Sequence, residues 1–283
     1  MGNRDTYTYE LKPSEDVIQK TYNDYLELKE LLEKSKYHSG GFYFLNNNKI
    51  FDEENKPKFC NYQIKLETSS GINCFIRRIE VRLSKDYKIE ETLTNDISKS
   101  QSQNEDKNRG KYLNWSKKPK NVYGRQTDKV TKAFYQKDTF NRGHLIADSI
   151  IKYSESFNYS KCENFVMITN WCNRANTIDS NKIACGMYYF EKMILDTLKI
   201  DNTAILYRVT PVFKINENEC RQSNCKKFEY LPRGIIIEAK IKGDTCFKGK
   251  NARALEKSFT TEFNVFIPNA QNNVDIVYDK KCN

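Results

Sequence analysis

Histidine is nearly missing from this chain: His38 and His144 are the only two in 283 residues. No Cys-x-x-Cys pair occurs either, so a structural zinc site of Cys/His type lacks both ligands and spacing. Long hydrophobic runs are absent too, and nothing approaches the roughly 20 apolar residues that a membrane-crossing helix needs. The opening Met1-Gly2-Asn3-Arg4-Asp5 has no apolar segment of the signal-peptide kind, so none is expected there. Removal of a leader before this point is compatible with the same sequence. No internal repeat is visible.

What is present argues for a folded and basic protein. Hydrophobic residues make up 38% and aromatic residues 13%, enough apolar surface to offset chain entropy and exclude wholesale disorder. At this length the chain forms one large domain or two small ones. The 47 Lys and Arg outnumber the 37 Asp and Glu, for a net charge of +10. That balance favours a polyanionic partner such as a phosphodiester backbone, although a Lys-rich solvated surface gives the same total. Nine cysteines favour a disulfide-forming compartment, hence secretion or its equivalent. Cys220 and Cys225 flank a short loop that a disulfide can close, and Cys60 and Cys74 flank a turn at Ser69-Ser70-Gly71 where a bridge between strands is expected. The odd count leaves at least one thiol unpaired. Asn114-Trp115-Ser116 and Asn158-Tyr159-Ser160 are glycosylation triplets, which also arise by chance.

Along the chain, Ser14 is a plausible N-cap, and an apolar stripe through Val17, Ile18, Tyr22, Tyr25, Leu26, Leu28, Leu31 and Leu32 predicts a helix over 14–36. Gly40-Gly41 ends it, and His38 in that turn reads as structural or solvated. Strands are expected at 41–50, 59–66, 72–83 and 87–93, where aromatic and β-branched residues alternate with turn signals. Residues 94–121 are polar and lack an apolar period, as a loop does. Buried segments follow at 145–151 and 165–169, a helix at 187–198, and strands at 204–213, 228–240, 259–267 and 274–278. The fold class is α+β, dominated by antiparallel sheet with one key helix beside it.

Chemistry concentrates between residues 140 and 191. Hydrolysing a phosphodiester requires an activated water, a counter-charge for the phosphorane-like state, and help for the departing oxygen. A near-neutral imidazole suits the first task, and a divalent ion the other two. Magnesium keeps several of its waters, so a single amide oxygen can anchor it. The chain offers Asn141-Arg142-Gly143-His144-Leu145, then Thr169-Asn170-Trp171-Cys172-Asn173-Arg174, then Tyr188-Tyr189-Phe190-Glu191.

These blocks, in this order, resemble the DNA/RNA non-specific endonucleases of the ββα-metal (His-Me finger) group, and most closely the secreted streptococcal nuclease branch. The likeness continues through Tyr207-Arg208-Val209-Thr210 and Phe263-Asn264-Val265-Phe266-Ile267-Pro268-Asn269, covering residues 123–278. The resemblance implies a ββα-metal catalytic core and sugar-non-specific endonuclease activity on DNA and RNA, leaving 5′-phosphate and 3′-hydroxyl ends. It makes His144 the general base, Asn173 the direct ligand of Mg2+ (with Mn2+ as a substitute), and Glu191 a group that reaches the metal through water. It makes Asn164 a support of the site and Arg142 a phosphate contact, with Arg125 and Arg174 as further basic neighbours. Asn141 departs from the family's usual Asp and removes a negative charge. Taken alone, His144 is more often a core histidine, Asn173 more often a cap or turn residue, and Glu191 more often a solvated helix residue.

The expected organisation is a nuclease domain over 111–283, with residues 1–110 as an N-terminal region of helix and strands packed on it. Two alternatives stand beside this reading. One is a nuclease toxin or effector whose residues 1–110 dock a protein partner or inhibitor. The other is a decayed relative that binds nucleic acid without cutting it. A disulfide-rich surface protein requires the three motifs to be accidental.

Overall fold

The computed structural model describes residues 12–45, 59–68, 71–84, 140–154, 164–174, 186–200, 203–214, 231–242, 245–248, 261–272 and 276. The strand expected at 87–93, the polar loop at 94–121, Arg125, both glycosylation triplets, and Cys220 with Cys225 lie outside them, as does most of the strand expected at 274–278.

The architecture is α+β and mainly antiparallel. Seven strands form one sheet in the order β1-β2-β9-β8-β7-β4-β3, every neighbouring pair antiparallel. They are β1 (Lys36–His38), β2 (Phe42–Phe44), β3 (Phe59–Thr68), β4 (Gly71–Ser84), β7 (Ala204–Val212), β8 (Gly234–Lys242) and β9 (Glu262–Pro268). Strands from residues 36–84 and 204–268 thus share one hydrogen-bonded surface. A separate two-stranded ladder pairs β5 (Phe140–His144) with β6 (Phe165–Thr169).

The sheet buries one face beneath a helix because the two apolar periods meet. Along β7, Ile205, Tyr207 and Val209 alternate inward, as do Ile235, Ile237 and Ala239 on β8. Over them lies the helix Gly186–Leu198, whose Met187, Phe190, Ile194 and Leu198 recur at helical spacing and are wholly buried. Phe190 meets Phe42 edge-on at 5.1 Å and Phe263 at 5.4 Å, joining strands from both ends of the chain.

The predicted helix over 14–36 is two helices, α1 (Glu15–Gln19) and α2 (Leu26–Glu33). Ser14 does cap α1, its hydroxyl accepting from the Val17 N–H. The interruption has a tertiary cause: the buried Arg233 guanidinium reaches the Thr21 carbonyl at 3.2 Å and the Asp24 carboxylate at 2.5 and 3.1 Å. A carbonyl and a side chain committed to Arg233 hold residues 20–25 as a turn. Lys36–His38 is then strand rather than helix, and Gly41 at φ 84 supplies the left-handed residue of the β1–β2 turn. His38 is structural: its Nδ1 accepts from the Gly40 N–H at 2.9 Å and its ring stacks on Phe42 at 4.5 Å.

Two further expectations change. Cys60 lies opposite Glu80 and Cys74 opposite Lys65, so the two cysteines sit five positions apart along β3. At about 3.3 Å per residue that is roughly 17 Å, far outside the ~7 Å Cα separation a disulfide tolerates. Of the strand expected at 228–240, residues 228–230 lie outside the described residues, 231–233 are not strand, and β8 runs from Gly234 to Lys242. Gly234 is required there, because a Cβ would come within 2.4 Å of the Phe266 ring.

Candidate active site

The site starts from the β5–β6 ladder, in which His144 pairs with Phe165, Gly143 with Val166 and Phe140 with Thr169. Gly143 is dictated by its neighbour: a Cβ there would lie 2.3 Å from Cδ1 of Ile168, a side chain with no exposure and no room to retreat. His144 follows, partly exposed. Beyond it Leu145 and Ile146 are fully buried and tied to Asn164. The Asn164 carbonyl accepts from the Leu145 N–H at 2.7 Å; its side-chain Oδ1 accepts from the Ile146 N–H at 2.8 Å, and its Nδ2 donates to the Ile146 carbonyl at 2.9 Å. Asn164, wholly buried, is therefore a positioning residue that fixes the backbone just after His144. A short helix, α3 (Asp148–Ile151), follows, and the Tyr153 carbonyl accepts from the Ser84 N–H of β4.

From β6 the chain enters α4 (Asn170–Arg174), which packs on both strands of the ladder. Thr169 caps it: its Oγ1 accepts from the Cys172 N–H at 3.0 Å and donates to the Ala270 carbonyl at 2.9 Å. The Thr169 N–H donates to Asn269 Oδ1 at 2.7 Å and the Trp171 N–H to Gln271 Oε1 at 3.2 Å. Asn269 Nδ2 in turn donates to the Pro232 carbonyl at 2.9 Å. The segment after β9 thus grips the start of α4. Trp171 and Cys172 are buried, so Asn173 comes out partly exposed and Arg174 exposed. Burial pushes the Cys172 thiol far up, which makes it an inert core group.

The next helix, α5 (Gly186–Leu198), packs against α4 and brings in Glu191. Glu191 is 8% exposed, and burial pushes its carboxyl up to about 8, with nearby Arg174 pulling part of the way back. From below, β7 contributes Tyr207, fully buried, its hydroxyl raised first by burial and then by the charge of Glu191.

The donors fit a divalent cation that keeps most of its water. Among the described residues no group of three or more His, Cys, Asp or Glu forms a closed cage. A partly exposed amide oxygen at Asn173 and, on the adjoining helix, a buried carboxyl lacking a bonded cation do suit a sparsely ligated ion. A cation beside Glu191 removes the reason its carboxyl resists ionising.

Of the residues the sequence singled out, His144, Asn173, Arg174 and Glu191 lie on this ladder and its two following helices, and Asn164 immediately precedes β6. Arg142 sits on β5 opposite Met167, and Asn141 opposite Ile168; their side chains and Arg125 lie outside the described part. Sequence reasoning missed Thr169 and Gln271 as supports of α4, and Tyr207 beneath Glu191. A Thr immediately before a helix is a legible cap signal; nothing local marks the other two.

Residues 55–239 match the model of the DNA/RNA non-specific endonuclease family, well over half of the chain. The match begins upstream of residues 123–278, where the sequence resemblance was seen. No curated protein matches this chain. Among solved structures, one described as Sda1 nuclease with bound zinc ion is 13% identical, covers 87% of this chain and 98% of its own, and has a TM-score of 0.41. An extracellular endonuclease is 14% identical over 82% of this chain and 88% of its own, with a TM-score of 0.39. An extracellular nuclease is 13% identical over 83% and 96%, with a TM-score of 0.36. Likeness at these values adds nothing to the family match.

Proposed function

Because this chain belongs to the DNA/RNA non-specific endonuclease family, we propose that it is a magnesium-dependent endonuclease that hydrolyses DNA and RNA and leaves 5′-phosphate and 3′-hydroxyl ends. Manganese is the expected substitute. The observation that carries the reading is the buried acid: Glu191 on α5, beside α4 with its partly exposed Asn173, in a chain whose neighbouring ladder ends at His144.

His144 takes the proton of the attacking water. Asn173 would hold the cation through its amide oxygen and Glu191 through intervening water. When bound, that ion supplies positive charge to the phosphorane-like state and the departing 3′ oxygen. Arg142 positions the phosphate, with Arg174 and Arg125 adding local positive charge. Recognition rests on backbone charge, in keeping with the net +10, so sequence preference is slight and binding weakens steeply with salt. Nine cysteines go with secretion or another oxidising compartment.

A protein partner or inhibitor that engages residues 1–110 is the second reading. The sheet shared between residues 36–84 and 204–268 argues against a separately folded docking module there.

The test is cleavage of plasmid and RNA with magnesium, with and without EDTA. Wild type cuts both and EDTA abolishes cutting, while His144→Ala loses about 10²- to 10⁴-fold without a change in melting temperature. Asn173→Ala loses activity that excess metal partly restores. Intact cleavage by His144→Ala, or binding without cleavage by wild type, contradicts the proposal.

A further inference from the structure

Tyr207 sits in mid-strand on β7, between Val81 of β4 and Ala239 of β8, with no exposed surface. Its hydroxyl has no hydrogen-bond partner among the described residues. A buried phenol without a partner is uncommon, since burial strips the O–H of water and returns nothing. Phenylalanine fills the same space without that cost, so packing alone does not account for the oxygen. Among the described residues, the charged group acting on it is Glu191, from the α5 helix laid across this face of the sheet.

We infer that Tyr207 is a positioning residue whose hydroxyl donates a hydrogen bond to the Glu191 carboxylate when a divalent cation is bound. A carboxylate that serves a metal through water has to point one way, and a charge-assisted bond from a rigid strand fixes that direction. Tyr207 is suited to this: strands on both sides fix its backbone and its ring has no exposed surface to move into. In this structure the hydroxyl and the carboxyl share no hydrogen bond. The inference rests on the nuclease reading, because it concerns how Glu191 serves that reaction's metal.

The experiment titrates Mn2+ into metal-free protein by calorimetry for wild type, Tyr207→Phe, Glu191→Gln and the double variant, beside thermal melts in EDTA. Tyr207→Phe keeps or slightly raises the melting temperature in EDTA and binds Mn2+ about tenfold more weakly. In the Glu191→Gln background the same change has no further effect, and kcat falls while KM for DNA holds. Wild-type affinity in Tyr207→Phe overturns the inference, as does an additive loss in the double variant. A Tyr207→Phe protein that melts early or fails to fold overturns it as well, since that marks a structural hydroxyl. If wild type binds Mn2+ and Glu191→Gln weakens it while Tyr207→Phe does not, only the inference falls. If wild type neither binds nor cuts, the nuclease reading falls with it.

Discussion

Arg233, at the entry to β8, and Glu191, on α5, are both charged side chains taken out of water, and their surroundings differ in one respect. Arg233 is fully buried and meets Asp24 through two nitrogens, with the Thr21 carbonyl as a further acceptor. Burial alone would raise the Asp24 carboxyl, yet the bonds and charge of Arg233, aided by Lys214, hold it below the ordinary carboxylate range. Among the described residues, the cation acting on Glu191 is the exposed Arg174, and its carboxyl goes up to about 8. A buried charge with a bidentate partner organises the fold: here it breaks the N-terminal helix and ties it to the C-terminal strands. A buried acid without such a partner costs stability, which marks it as a candidate functional group.

Asp24→Asn gives the largest effect. It leaves a buried guanidinium without a counter-charge and costs about 3 kcal/mol, the low end for a broken buried pair because Asp24 is partly solvated. Denaturant melts measure the loss, and cleavage per folded molecule stays at wild-type level. If cleavage falls in step with nothing lost in stability, the contrast between the two sites breaks down.

Glu191→Gln runs the other way, with activity down about 10- to 100-fold and no loss of stability in EDTA. The pH dependence sharpens the point. Glu191 has a folded-state value raised above the ordinary 4.5, so in metal-free protein the folded form holds a proton the unfolded form has released. The melting temperature in EDTA therefore declines as pH rises from about 5 to about 8. Glu191→Gln flattens that decline. Asp24 has the opposite sign: its contribution is complete above the ordinary carboxylate range and is lost as pH falls through its lowered value.

Gly143→Ala has the smallest effect on stability, about 1–2 kcal/mol from overpacking against Ile168. Its effect on cleavage is larger than that, since the strain falls next to His144. Pairing it with Ile168→Ala makes room for the methyl and recovers cleavage, which kinetic assays of single and double variants can follow.

Local pattern carried much of this molecule. Period-two alternation marked β4, β7 and β9 closely, and the Met187, Phe190, Ile194 and Leu198 spacing marked α5. The candidate residues His144, Asn173 and Glu191 stood out in the sequence as ordered motifs because each motif is short and continuous. The helix over 14–36 was overextended because its break depends on Arg233, some two hundred residues away, and no local signal reports that. The Cys60–Cys74 bridge failed on register, which a turn signal does not set by itself. Asn269 and Gln271 support α4 from a hundred residues downstream, and Tyr207 meets Glu191 only once the helix lies across the sheet.

The most direct test of Glu191 as the waiting partner of a cation is the proton balance of metal binding at pH 7. Mn2+ is titrated calorimetrically into metal-free protein in two buffers of different ionisation enthalpy. Wild type releases close to one proton per ion bound, and Glu191→Gln releases none. Equal release from the two proteins, or tight binding by wild type without any release, contradicts the account.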